Sequence, residues 1–222
     1  MSEHTVFTSY PVFRARPEAL SEADREVAVK EVQDLFDGWS DRVQVRGVYS
    51  LTGFRADADL MFWWVAESAE ELQDLLVTFR RTRLGRALVH QDQFLGLVRP
   101  AEFARDHLPA FIKGDEPKLY ISVYPFVRTT DWYLLPAEER GKYLREHGEE
   151  GRRFSDVLAN TTSAFGLGDY EWILCFEADG FDRIVDLLRA LRAVEARRYT
   201  KLETPFYAGI RKDLAGAVQD LP

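Results

Sequence analysis

The chain carries two copies of one pattern. Tyr10-Pro11-Val12-Phe13-Arg14 returns 114 positions later as Tyr124-Pro125-Phe126-Val127-Arg128. Farther on, at an offset of 112, Asp57 pairs with Asp169, Asp74 with Asp186, Leu75-Leu76 with Leu187-Leu188, Arg80 with Arg192, Phe94 with Phe206 and Arg99 with Arg211. Matches in a common order at nearly constant spacing mark a duplicated supersecondary unit.

Hydrophobic periodicity gives each half the same order of elements. The first half reads as strand 5–14, helix 23–39 with Val29, Val32, Leu35, Phe36 and Trp39 at helical spacing, strands 43–53 and 59–66, helix 69–85 and strand 90–98. The second reads as strand 118–128, helix 137–154, strands 161–166 and 170–177, helix 181–198 and strand 203–210. This is β-α-β-β-α-β twice, the ferredoxin-like unit. Helices cover one face of such an antiparallel sheet, so the other face needs cover, most simply from the duplicate. The expected fold class is α+β, two ferredoxin-like repeats forming a dimeric α+β-barrel-type subunit. Expected boundaries are 1–99 for the N-terminal half, 100–117 for a linker with three prolines and Gly114, and 118–222 for the C-terminal half.

At 222 residues, 46% hydrophobic and 13% aromatic, the chain has material for a substantial core. No apolar run approaches the about 20 residues that span a bilayer, and the first residues lack a leader pattern, so a cytoplasmic protein is expected. Cys175 is the sole cysteine, in the apolar run WILCF, so no intrachain disulfide and no thiolate metal site can form. The net charge of −8, with no basic stripe interleaved with aromatics, argues against nucleic acid as a partner.

The chemistry-bearing residues concentrate between Tyr120 and Gly148. On a strand, Tyr120, Ser122, Tyr124, Phe126 and Arg128 share one face. Pro136 suits the first turn of a helix, and Glu138 and Glu139 follow where the macrodipole favours acids. Tyr143, Leu144, His147 and Phe154 then fall on one inward stripe. Four histidines exist, His4, His90, His107 and His147, and the helix of the first half has none. His147 can be read as a hydrogen-bonded core residue or as a ligand. With no second histidine or spaced carboxylate beside it, the one metal reading left is haem, whose porphyrin supplies four of the ligands. Tyr124, Trp132 and Trp172 could be core aromatics. Arg128 is harder to dismiss, because a guanidinium among aromatics needs an anion or water to satisfy it, and a porphyrin propionate would do so bidentately. Arg197, Lys118 and Ser122 are weaker candidates for the same role. His107 could be an exposed loop residue or a general base over the sheet.

Taken together, the stretches VRGVYSLTGFRADADLMFWW, RPAEFARDHLPAF, YPFVRTTDWYLLPAEER, HG, ANT, LGDYEWIL and ETPFYAG, in this order, resemble the bacterial coproheme decarboxylases of the chlorite dismutase-like superfamily. The likeness covers nearly the whole chain. It implies a subunit of two ferredoxin-like halves, usually assembled as a pentamer, with the porphyrin in the C-terminal half. It implies that His147 is the proximal iron ligand, Tyr124 the tyrosine that becomes a radical, and Arg128 the propionate contact. Trp132 and Trp172 correspond to pocket aromatics, and His107 to the distal histidine of the branch that uses imidazole as base. Relatives place Gln, or in chlorite dismutases Arg, shortly after the proximal histidine, where this chain reads Ala159-Asn160-Thr161.

The implied activity is peroxide-dependent oxidative decarboxylation of iron-coproporphyrin III (coproheme) to haem b through harderoheme, the final step of coproporphyrin-dependent haem biosynthesis. Coproheme is then both substrate and redox cofactor, hydrogen peroxide the oxidant, haem b the product, and transient contact with the upstream ferrochelatase is an expected partnership. Three alternatives use the same residues differently. A haem peroxidase or chlorite dismutase-like enzyme would retain haem b. A non-catalytic haem carrier would need His147 and Arg128 but neither Tyr124 nor His107, and a duplicated ferredoxin-like interaction module would need none of them.

Overall fold

The computed structural model describes residues 5–100, 102 and 108–222. The chain divides into two compact units, Met1–Val98 with Ala208–Pro222, and Arg99–Tyr207.

In the first unit β1 (Phe7–Ala15), α1 (Glu22–Trp39), β2 (Val43–Ser50), β3 (Leu60–Ala66), α2 (Ala69–Phe79), α3 (Arg83–Ala87) and β4 (Leu88–Leu97) follow in order. The strands lie β4-β1-β3-β2, all antiparallel. This is the ferredoxin-like arrangement expected from the repeat. Ser21 and Ser68 start α1 and α2 by accepting from the backbone N–H of Asp24 and Glu71. The helix expected over 69–85 breaks in two because Thr82 intervenes. Its hydroxyl donates to the Phe79 carbonyl at 2.7 Å and accepts from Gly85 N–H at 3.0 Å, ending one helix and capping the next. Phe13, Phe36, Phe62, Trp64 and Phe79 form the helix-side core, with Phe62 stacked on Trp64 at 5.5 Å and Phe13 against Phe79 at 5.2 Å.

The second unit holds α4 (Ala110–Lys113), β5 (Tyr120–Arg128), α5 (Thr130–Leu134), α6 (Ala137–Gly151), β6 (Leu158–Ser163), β7 (Trp172–Ala178), α7 (Phe181–Leu191) and β8 (Thr200–Leu202). A 3-10 turn, Arg152–Phe154, continues α6, and another, Glu195–Tyr199, precedes β8. The strand order β6-β7-β5-β8 repeats that of the first unit. The strand expected over 203–210 is interrupted, since Pro205 has no N–H to give a ladder. Its later part is a separate strand, β9 (Tyr207–Lys212), which pairs with β2, while β8 ends before it at Leu202. The closing helix α8 (Leu214–Gln219) lies with α1, where Arg25 Nη1 donates to the Val218 carbonyl at 2.6 Å. Residues 208–222 therefore belong to the first unit, whereas the repeat alone assigned them to the second. Within the expected linker, α4 is fixed by Phe111 N–H donating to the buried Asn160 Oδ1 at 2.9 Å.

The repeated Tyr-Pro strands are not structural equivalents. Tyr124 stands opposite Leu174 and Ser122 opposite Phe176, on the face that packs with α7. In β1 the residue opposite Trp64, the counterpart of Phe176, is Ser9, and that opposite Leu60 is Phe13. Structure therefore matches the two strands at an offset of 113, one residue from the sequence match, and a one-residue slip exchanges the faces. Tyr10 points away from the helix-side core and contacts Trp63 at 5.1 Å, while Tyr124 points into it.

Candidate functional site

The helix-side face of the second unit's sheet is built by alternation on β5, β6 and β7. Tyr124, Phe126 and Arg128 come from β5, Leu174 and Phe176 from β7, and Ala159 from β6. Tyr124 is 2% exposed and packs with Val157, Ile184 and Leu187. The Phe206 ring lies 4.3 Å from its own. Burial raises its phenol pKa well above the ordinary tyrosine value, and Glu203 adds to the shift while Arg192 and Arg197 oppose it. The hydroxyl is therefore a neutral, proton-bearing group at any physiological pH.

Arg128 closes the same strand. Its backbone N–H donates to Glu171 Oε2 at 2.8 Å and its Nη1 to the Ala196 carbonyl at 2.9 Å. The guanidinium carbon sits 4.2 Å over the Trp132 ring and 4.7 Å over Phe126. Among the described residues no carboxylate comes within ion-pair range of it. Burial pushes its pKa down to about 10, which leaves it cationic at neutral pH. The other cations are committed elsewhere. Arg197 and Arg192 both pair with Glu203, at 2.5 and 3.2 Å, and Lys118 pairs with Asp179 at 2.6 Å. Ser122 is buried on the Tyr124 face.

Trp132 lies on α5, 4% exposed, and meets Tyr199 at 5.6 Å. Trp172, directly opposite Phe126, is half-buried and packs edge-on against Phe165 at 5.3 Å. Glu171 links these pieces, because the oxygen that accepts from Arg128 also accepts from the Tyr133 hydroxyl at 2.6 Å. Nothing in the sequence pattern singles out Glu171, Tyr133 or Tyr199; tertiary contacts alone give them their places.

His147 is half-buried on α6. Tyr143, one turn earlier, touches Tyr199 at 5.7 Å, and Phe154, two turns later, packs into the cluster that holds Tyr124. His147 thus sits on the helix stripe between the Trp132–Tyr199 contact and the Tyr124 cluster. The stripe is less enclosed than the sequence suggested, since Gly141 is the one fully buried residue of α6. His107 lies outside the described residues. Of the Ala159-Asn160-Thr161 stretch, Ala159 and Thr161 share the face of Tyr124, while Asn160 points to the opposite face and donates to the buried Glu177 at 3.1 Å. No group of three or more metal-ligating side chains occurs among the described residues, and no helix among them is long and apolar enough to cross a membrane.

The model of the family described as chlorite dismutase matches residues 25–212. The chain belongs to the chlorite dismutase family. Within this family it is 49% identical to the coproheme decarboxylase of Mycolicibacterium smegmatis, over 97% of this chain and 94% of that protein. The coproheme decarboxylase of Oceanobacillus iheyensis is 28% identical over 69% of each chain. Among solved structures, a mutant chlorite dismutase from Candidatus Nitrospira defluvii superposes with a TM-score of 0.88 at 25% identity, covering 98% of this chain and 95% of that one. The chlorite dismutase of the same organism in complex with imidazole gives 0.87 at 25% identity, covering 96% and 94%.

Proposed function

We propose that this member of the chlorite dismutase family is a coproheme decarboxylase, converting two propionates of iron-coproporphyrin III to vinyl groups to give haem b. The near-full-length identity to a coproheme decarboxylase carries the reading, and the donor set fits the substrate. A cation with no carboxylate in ion-pair range among the described residues, a buried phenol and a histidine share the helix side of one sheet. Bound there, the iron porphyrin supplies peroxide activation and one-electron chemistry.

The residues divide the work. His147 would hold the iron, and Arg128, stacked on Trp132, would clamp a propionate through its guanidinium fork. Trp172 and Trp132 would bound the macrocycle. Tyr124, held neutral by burial, would lose a hydrogen atom and as a phenoxyl take one from the propionate β-carbon. The carboxylate then departs as carbon dioxide and the remaining electron passes on, leaving a vinyl. Each vinyl consumes one hydrogen peroxide, which leaves as two waters. His107 would serve as the base that accepts and returns the peroxide proton. The β6 positions on the Tyr124 face, Ala159 and Thr161, bear no cation, which favours decarboxylation over chlorite chemistry. A cytoplasmic location, assembly as a homopentamer and transient delivery of coproheme by a ferrochelatase belong to the same proposal.

The test mixes apo-protein with ferric coproporphyrin III, adds peroxide in portions and follows porphyrin masses by chromatography. Stepwise loss of two carboxyl groups is expected. Binding without mass change would overturn decarboxylation and leave a haem protein of another kind. No binding would leave only the fold.

A further inference from the structure

The Trp132 ring is buried beside Arg128, and a chain of ring contacts runs from it to the surface. Trp132 meets Tyr199 at 5.6 Å, and Tyr199 meets Tyr143 at 5.7 Å. Both tyrosines are half-exposed, so the chain of rings reaches solvent. The reaction proposed above uses neither of them. Charge along the chain is graded. Arg128 sits 4.2 Å over Trp132 and disfavours positive charge there, whereas Glu139 and Asp131 act on Tyr199 with the opposite sign. Arg198, beside the tyrosines, is held by Glu195 at 2.6 Å. An electron deficiency on Trp132 is therefore drawn outward.

We propose that Trp132, Tyr199 and Tyr143 form an electron-supply route by which small phenolic or thiol donors at the surface reduce an oxidised porphyrin site. The inference rests on the porphyrin-binding reading. Trp132 gives one electron inward and is refilled by one electron from Tyr199, whose phenolic proton leaves to solvent past Tyr143. The external donor then returns one electron and one proton to Tyr199. Two such cycles balance one hydrogen peroxide, which becomes two waters, and yield two donor radicals. The route gives the protein a second activity, disposal of peroxide when no reactive propionate is in place.

Two arms test it. In the first, azide radicals made by pulse radiolysis oxidise tryptophans of the apo-protein, and tryptophan-radical decay is compared with tyrosyl-radical growth. A fast phase in the parent that disappears in both Trp132→Phe and Tyr199→Phe is expected; an unchanged phase in Tyr199→Phe overturns the route. In the second, protein loaded with ferric haem b receives peroxide and a spin trap, and adducts are mapped by peptide mass. Adducts on Tyr143 and Tyr199 that vanish in Trp132→Phe are expected, as is faster oxidation of a phenolic donor by the parent than by Tyr199→Phe. Adducts that persist in Trp132→Phe, or a parent with none, overturn it. Tyr199→Phe keeps the ring packing and should decarboxylate coproheme at the parent rate. If coproheme is not decarboxylated by the parent, the proposed function fails separately, and the apo-protein arm still decides the route.

Discussion

At the scale of single residues, Tyr124 and Arg128 are defined by opposite demands. The phenol needs to stay protonated and burial ensures it; the guanidinium is cationic, and among the described residues no carboxylate comes within ion-pair range of it. Because the folded state raises the Tyr124 pKa, its contribution to stability is complete below the unfolded tyrosine value of about 10 and is lost as pH rises through the folded value. Urea unfolding between about pH 9 and 11 should therefore show a shallower alkaline loss of stability in Tyr124→Phe than in the parent. Coinciding slopes would mean the phenol is not held protonated. The same variant should bind coproheme yet fail to decarboxylate it; near-parental turnover by chromatography would refute the hydrogen-atom role. Arg128→Leu should weaken coproheme binding by about 1.5–3 kcal/mol, the worth of a hydrogen bond to a charged group. Fluorescence titration measures this, and Arg128→Lys should recover only part of it because an ammonium lacks the fork. These residues were legible in the sequence through their types and their strand face. Glu171 and Tyr199 were not, because a glutamate or tyrosine carries no periodic signal of the partner it will meet across a fold.

At the scale of elements, Glu171 joins α5 to the end of β5 by accepting from Arg128 N–H and the Tyr133 hydroxyl with one oxygen. Glu171→Ala removes the acceptor of both donors, in a partly exposed setting, and should cost about 1–2 kcal/mol. Chemical denaturation measures the loss, and a changed near-ultraviolet dichroism would report the released Trp132. Element order was readable because amphipathic spacing is strong, as in α7, where Ile184 and Leu187 are buried and Leu188 and Leu191 pack against the same cluster. Three local details were not. Thr82 ends one helix and starts another through its own hydroxyl, Pro205 interrupts the last strand, and β1 is slipped by one residue relative to its repeat. Each depends on a single side chain or on a register, which composition and period do not encode.

At the scale of the whole molecule, the duplicated fold has diverged in what fills its helix side. In the first unit Phe13, Phe36, Phe62, Trp64 and Phe79 interlock at centroid distances from 5.1 to 6.3 Å, and the strand position matching Tyr124 is Pro11. In the second unit the corresponding face carries a phenol and a guanidinium among the rings of Phe126, Phe176 and Phe206. The sequence repeat pointed to two equivalent halves, separated by the aromatic cluster and the helix histidine of the second; register and packing explain the asymmetry physically. One porphyrin per chain is the expected stoichiometry. A titration of apo-protein with ferric coproporphyrin III should saturate at that ratio, and a ratio of two would show that the first unit's aromatic core opens to ligand. Phe62→Ala sharpens the comparison, because truncating a fully buried aromatic ring should cost about 3–5 kcal/mol of stability. The folded fraction should still bind a single porphyrin with parental affinity. A second equivalent bound by this variant would mean that the aromatic core is what keeps a latent site closed.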